Sequence, residues 1–195
     1  RAEMDGKLAA LDQELFAPDA RLDALQSAWE ARLAAQFGQM AWKTPGATTL
    51  KTVNGAELSR GEDQIFSVAG PNPDRETYEI SFQAEGALKS FKLDLFTDPA
   101  LPETGPGRSP NGNVVISEFE VERVTAGGAS EKLTVATALA DFAQERDDYQ
   151  VTSAIDGKDE TGWATGSHVR RENRTAIFVL GEGAVIAPGD QVTVR

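Results

Sequence analysis

The sequence predicts a mainly β chain, an all-β sandwich or barrel, led by a helical segment. Short runs that alternate apolar and polar residues recur from residue 44 to the end. Turn-rich Gly/Pro segments separate these runs, and no helical pattern lies between them, which argues against a parallel α/β sheet. Before residue 38 the apolar residues instead recur with a helical period.

The helical segment covers residues 1–38. Met4, Leu8, Leu11 and Leu15 follow one another at steps of four and three, and Leu22, Leu25, Trp29 and Leu33 continue the stripe. Ala, Glu, Arg, Gln and Lys fill the other faces, as a helix former should. Ala17-Pro18-Asp19 either separates two helices or opens the second, because Pro fits a first turn. Gly38 suits a stop. So narrow a seam wants a partner helix. A hairpin, a helix laid on its own domain, and half of a coiled coil are all open; the last is the expectation.

The β segment covers residues 44–195. TTLKTV (48–53), an Asn54-Gly55 turn and AELSR (56–60) read as a hairpin. ETYEISFQ (76–83) and LKSFKLDLF (88–96) read as half-buried strands around a Glu85-Gly86 turn. VVISEFEV (114–121) is another, with Val115, Phe119 and Val121 on one face. KLTVATALADF (132–142), TAIFVL (175–180) and DQVTVR (190–195) complete the set. The chain starts at Arg1, inside the helical pattern, and its last strand reaches Arg195, so a piece of a longer protein is expected.

Composition narrows the function. The 195 residues are 40% hydrophobic and 26% charged, as in ordinary globular chains. A net charge of -12 argues against a nucleic-acid or anionic-membrane partner, since both need a positive face. No apolar run is long enough for a membrane span. The absence of Cys removes thiol catalysis, Cys-type zinc and disulfides, and one His, His168, disfavours a hydrolytic triad.

Residues 154–163, AIDGKDETGW, crowd oxygen donors into a short loop. Asp156 offers a carboxylate and Thr161 a hydroxyl, Gly157 permits a sharp bend, and Trp163 anchors the exit. A plain Asp-Gly turn and a loop folded round a hard cation both account for this.

The spacing of Ala-Ile-Asp-Gly, Thr161 and Trp163, with the later AIFVLGEG, resembles the discoidin-like, galactose-binding β-sandwich domains. The resemblance implies a jelly-roll sandwich with a structural calcium or sodium ion. It implies ligands from the carbonyls of Ser117, Ser153 and Lys158, the carboxylates of Asp156 and Glu118, and both oxygens of Thr161. In the family the Asp-Gly loop precedes the Glu strand; here Glu118 comes first, as a circular permutation would arrange. The run DPALPETGPGRSPNGNVVISEFEV, then ADFAQ, then AIDGKDETGWA, together with QSAWEARL, resembles a segment of large planctomycete-type multidomain proteins that often begin with a cytochrome c domain. That likeness implies an extracellular or periplasmic location. No haem is expected, since Cys-x-x-Cys-His is absent.

The basic cluster SHVRRENR carries His168, Arg170, Arg171 and Arg174. It reads as a solvated loop or as a grip on a sugar acid or sulfate through bidentate Arg contacts. The acid pairs Asp147-Asp148 and Asp159-Glu160 read as solvated turns rather than as a general acid and base. The expectation is therefore a non-catalytic carbohydrate-binding module of a larger exported bacterial protein, taking a polysaccharide or glycan. The alternative is an interaction domain that docks neighbouring domains or a partner helix and binds no sugar.

Overall fold

The computed structural model describes residues 4–8, 11, 19–37, 42–144 and 149–195. The chain divides into two compact units, Arg1–Lys43 and Thr44–Arg195.

In the first unit, residues 4–8 are helical and a helix α1 runs over Ala20–Phe37. Asp19 starts it. One carboxylate oxygen accepts the N–H groups of Arg21 (2.8 Å) and Leu22 (3.2 Å), which no helical carbonyl would otherwise satisfy. The helix after Pro18 thus has its own N-cap. The apolar stripe is exposed at Met4, Leu8, Leu11, Leu22, Leu25 and Trp29. Leu15, Gly38 and the side chain of Leu33 lie outside the described residues.

The second unit is mainly β, with twelve strands in antiparallel sheets. They are β1 (Ala47–Thr52), β2 (Glu57–Arg60), β3 (Phe66–Ala69), β4 (Tyr78–Gln83), β5 (Ser90–Leu95) and β6 (Val115–Ile116). Then come β7 (Val121–Val124), β8 (Ser130–Leu133), β9 (Val135–Ala140), β10 (Trp163–Ala164), β11 (Arg174–Leu180) and β12 (Gln191–Val194). A five-stranded sheet has the order β1-β4-β12-β7-β8, and a three-stranded sheet the order β5-β11-β9. β10 pairs with β6, and β2 with β3.

The two larger sheets share one core, which makes the fold sandwich-like. The five-stranded sheet sends in Phe82, Val121 and Val192; the three-stranded sheet sends in Ala176 and Phe178. The Phe119 and Phe178 rings stack with centroids 3.8 Å apart. Along β11 burial alternates strictly, with Arg174, Ala176, Phe178 and Leu180 inward.

Several strand assignments change on folding. β1 pairs with β4, not with β2. The Asn54-Gly55 turn forms, but Glu76 takes its donors: its carboxylate accepts the N–H groups of Val53, Asn54 and Ala56 at 2.7–2.8 Å. The Val53 N–H still reaches the Thr77 carbonyl beside β4 (3.2 Å), and the chain leaves the sheet after it. β4 and β5 pair in different sheets rather than with each other. VVISEFEV breaks into β6 and β7, because the Phe119 N–H donates to the Ala154 carbonyl and not to a neighbouring strand (2.7 Å). Val115 is accordingly 43% exposed while Val121 is buried. KLTVATALADF likewise crosses from the five-stranded to the three-stranded sheet between Leu133 and Val135. There the Thr134 carbonyl accepts the Gly181 N–H (2.9 Å). Such sheet-switching corners are an expected feature of packed sheets.

Candidate functional site

The β6–β10 pair assembles the oxygen-rich loop. Trp163 stands opposite Ile116 and Ala164 opposite Val115. One step further along the chain, Gly162 lies against Ser117. The approach at Gly162 is too close for a side chain. A Cβ there would lie 2.7 Å from the Ile116 carbonyl oxygen and 2.8 Å from the Ser117 Cα. Trp163 is fully buried, and its indole N–H donates to the Phe142 carbonyl at 2.8 Å. On the other side, a 3-10 turn over Val151–Ile155 holds Ser153 buried and ends at Asp156.

Glu118 and Asp156, 38 positions apart in the sequence, meet at one backbone group. The Lys158 N–H donates to Glu118 Oε1 (2.8 Å) and to Asp156 Oδ1 (2.9 Å). The two carboxylates are therefore no farther apart than the sum of these distances. Thr161 Oγ1 lies 3.0 and 2.9 Å from the Asp156 oxygens and 3.1 Å from the Lys158 carbonyl oxygen. A hydroxyl carries one proton and can satisfy only one of these acceptors fully. Gly157, at φ 77°, makes the bend that turns this backbone inward.

The electrostatics agree with the crowding. Burial pushes the Glu118 carboxyl above its ordinary value, and the negative charges of Asp156 and Glu120 push the same way. The N–H groups of Lys158 and Gly157 oppose them without cancelling the effect.

The loop brings together carboxylate, carbonyl and hydroxyl oxygens, the donor types that a hard cation takes. Among the described residues no three His, Cys, Asp or Glu side chains gather as a metal site. An ion here would therefore lean on the main chain and on Thr161. Asp156, Lys158 and Thr161 come together as members of one loop, and Glu118 joins them from β6's end, the placement that the family resemblance implies. Ser117 lies opposite Gly162, and Ser153 in the preceding turn. The Asx bond of a plain Asp-Gly turn is present as well, from the Lys158 N–H to Asp156.

The basic cluster does not converge on one spot. His168 is exposed. Arg171 is exposed and pairs with Glu103. Arg170 lies over the Phe142 ring, 5.3 Å from its centroid. Arg174 turns inward and is 3% exposed. Its guanidinium donates to the carbonyls of Thr165 (3.0 Å), Asn173 (3.2 Å) and Arg170 (3.3 Å) and to the Glu172 carboxylate (3.1 Å). It also stacks on Phe142 at 4.7 Å. The expectation that Arg174 grips an external ligand is corrected: its register with the core residues of β11 sends it inside.

Sequence reasoning missed the surroundings of this cluster. Phe96 is 45% exposed just beyond β5. Its neighbour Thr97 donates its N–H to Asn173 Oδ1 at 2.9 Å. Outward parity along β5 was the available signal for Phe96. Of the acid pairs, Asp147 and Asp148 lie outside the described residues, and Asp159 and Glu160 are exposed. A shallow depression of about 370 Å³ lies elsewhere, among Arg123, Glu131, Lys132 and Glu182.

No family model matches the chain, and neither does any curated protein or solved structure. Among the described residues, no helix is long and apolar enough to cross a membrane.

Proposed function

We propose that the chain is a non-catalytic module of a larger exported bacterial protein. In this reading it is a jelly-roll sandwich of the galactose-binding type, ordered by calcium or sodium, that docks through its helical segment onto a partner helix. The exposed stripe carries the docking. Leu22, Leu25 and Trp29 are 60, 56 and 51% exposed. With Met4, Leu8 and Leu11 they fall on a single heptad frame of alternating four- and three-residue steps. A helix of 18 residues owes most of its stability to packing of its apolar face. Each buried leucine contributes about 1.5–3 kcal/mol.

Sedimentation of the whole chain over a range of concentrations tests this reading. The expected result is self-association through the stripe, lost in the double variant Leu22→Asp, Leu25→Asp with the β-sheet circular dichroism unchanged. Monomers of both proteins at every concentration would reject self-pairing through the stripe.

A second reading is favoured by the exposed ring of Phe96 beside polar groups at a sandwich rim. Aromatic faces with nearby hydrogen-bonding groups suit a sugar ring. Under it, a polysaccharide or glycan contacts Phe96 and the polar groups of Thr97 and Asn173 beside it. A glycan array should then give signals that Phe96→Ala removes; a blank array rejects the sugar.

A further inference from the structure

Two asparagines of the chain, Asn54 and Asn111, stand directly before a glycine. Such a pair carries its own reagent. The glycine nitrogen, once it has lost its proton, can attack the asparagine Cγ, because no side chain on the second residue blocks the approach. The fold gives the two pairs opposite surroundings. Asn54-Gly55 is exposed just beyond β1. Among the described residues the Gly55 N–H has no acceptor, and a Cβ built on Gly55 would meet nothing within 4 Å. The Asn54 amide is held by one hydrogen bond, from Nδ2 to the Arg75 carbonyl at 2.9 Å. Asn111-Gly112 is closed. The Gly112 N–H donates to the Ser109 carbonyl at 2.8 Å, and Asn111 Oδ1 accepts the Asn113 N–H at 3.1 Å. Gly112 is itself buried, and a Cβ there would lie 2.7 Å from the Pro102 carbonyl oxygen.

We propose that Asn54 is a modification site, where the folded protein deamidates itself while sparing Asn111. The Gly55 nitrogen bonds to Asn54 Cγ, the Cγ–Nδ2 bond breaks, and the amide leaves as ammonia. A cyclic succinimide remains, and water opens it on either side of the ring nitrogen. Breaking the new N–Cγ bond leaves an aspartyl residue. Breaking the original peptide C–N bond leaves an isoaspartyl residue, with the main chain rerouted through Cβ. Water is the only co-reactant. The position gives the change a consequence, because the Glu76 carboxylate holds this turn through the N–H groups of Val53, Asn54 and Ala56. Either product adds a negative charge beside Glu76 and sets a carboxylate oxygen where Nδ2 now donates to the Arg75 carbonyl. The isoaspartyl form also lengthens the main chain between positions 54 and 55, which moves the Ala56 N–H off Glu76 Oε2. The turn beyond β1 thus loosens with age.

Peptide mapping by mass spectrometry tests this on the whole chain, incubated in mildly alkaline buffer and sampled over time. Loss of amide should run at least about fivefold faster at Asn54 than at Asn111. The Asn111 pair must release two hydrogen bonds and the Asn54 pair one, and a net hydrogen bond is worth about a factor of five. In denaturant the two pairs should react at similar rates, since the difference belongs to the fold. The modified fraction, separated by ion exchange, should melt below the intact one; a fraction that melts with it would overturn the loosening of the turn. Equal rates at the two pairs in the folded chain, or an Asn54 that stays intact there while it reacts in denaturant, would overturn the site itself.

Discussion

Trp163→Ala should cost the β unit about 3–5 kcal/mol, the usual loss for an aromatic side chain removed from a core. The indole is fully buried, and its N–H is tied to the Phe142 carbonyl. Deleting it opens a large cavity and leaves that carbonyl without its donor, which adds about 1–3 kcal/mol. Domains of this size have about 5–15 kcal/mol in total, so the loss removes a large share of the unit's stability. The damage also reaches the oxygen loop, because Trp163 is one of the two residues of β10 that pair with β6. Without that pairing, the loop that carries Asp156 and Lys158 is no longer held beside Glu118. Trp163→Phe keeps most of the volume but leaves the same carbonyl without its donor, so it should cost about 1–3 kcal/mol. Denaturant unfolding followed by circular dichroism measures both. A loss below about 1 kcal/mol for the Ala variant would show that Trp163 is not the anchor.

The second large effect is expected at Arg174. Arg174→Met should destabilise the fold by about 3 kcal/mol, since it strands buried carbonyl groups that the guanidinium now satisfies. The Thr165 carbonyl is the most costly of these, because Thr165 is itself fully buried. The Phe142 ring also loses the nearer of its two cations, worth about 0.5–2 kcal/mol, and keeps Arg170. Arg171→Met, three positions earlier, should change stability by less than about 0.5 kcal/mol, because its pair with Glu103 is exposed. If the two variants have equal stability, the buried network around Arg174 is not structural.

The same register logic separates what the sequence reveals from what it conceals. Strands with unbroken alternation, such as TAIFVL and DQVTVR, are legible because their two faces differ. Arg174 shares its parity with Ala176, Phe178 and Leu180, so its inward course was legible too, but a basic run draws the eye to the surface. VVISEFEV shows its break only faintly. Two consecutive polar residues, Ser117-Glu118, interrupt the alternation, but the bond that ends β6 runs from the Phe119 N–H to the distant Ala154 carbonyl. Asn54-Gly55 signals a hairpin, yet the donors of the turn go to Glu76, more than 20 residues away. β3 was missed because Phe66–Ala69 is too short to show a period.

The oxygen loop divides in the same way. Asp156, Gly157 and Thr161 are local, and their turn is readable from residue types alone. The arrival of Glu118 depends on β6 lying against β10 and on a glycine at 162 that lets the backbones touch. Residue chemistry alone does not specify that juxtaposition; here it was anticipated only through a family likeness. With it in place, Glu118 is a partly buried carboxylate: burial is the main cost it carries, and the negative charge of Asp156 adds to it.

Calorimetric titration of the whole chain with calcium, alongside Asp156→Ala, tests that account most directly. The wild type should show one saturable site per chain. At a hundredfold excess over its dissociation constant, calcium should add about 3 kcal/mol of stability. Asp156→Ala should fold and show neither the heat nor the gain. A wild type that takes up no calcium and no sodium, and melts identically in ion and in chelator, would contradict the account and leave AIDGKDETGW as an Asp-Gly turn.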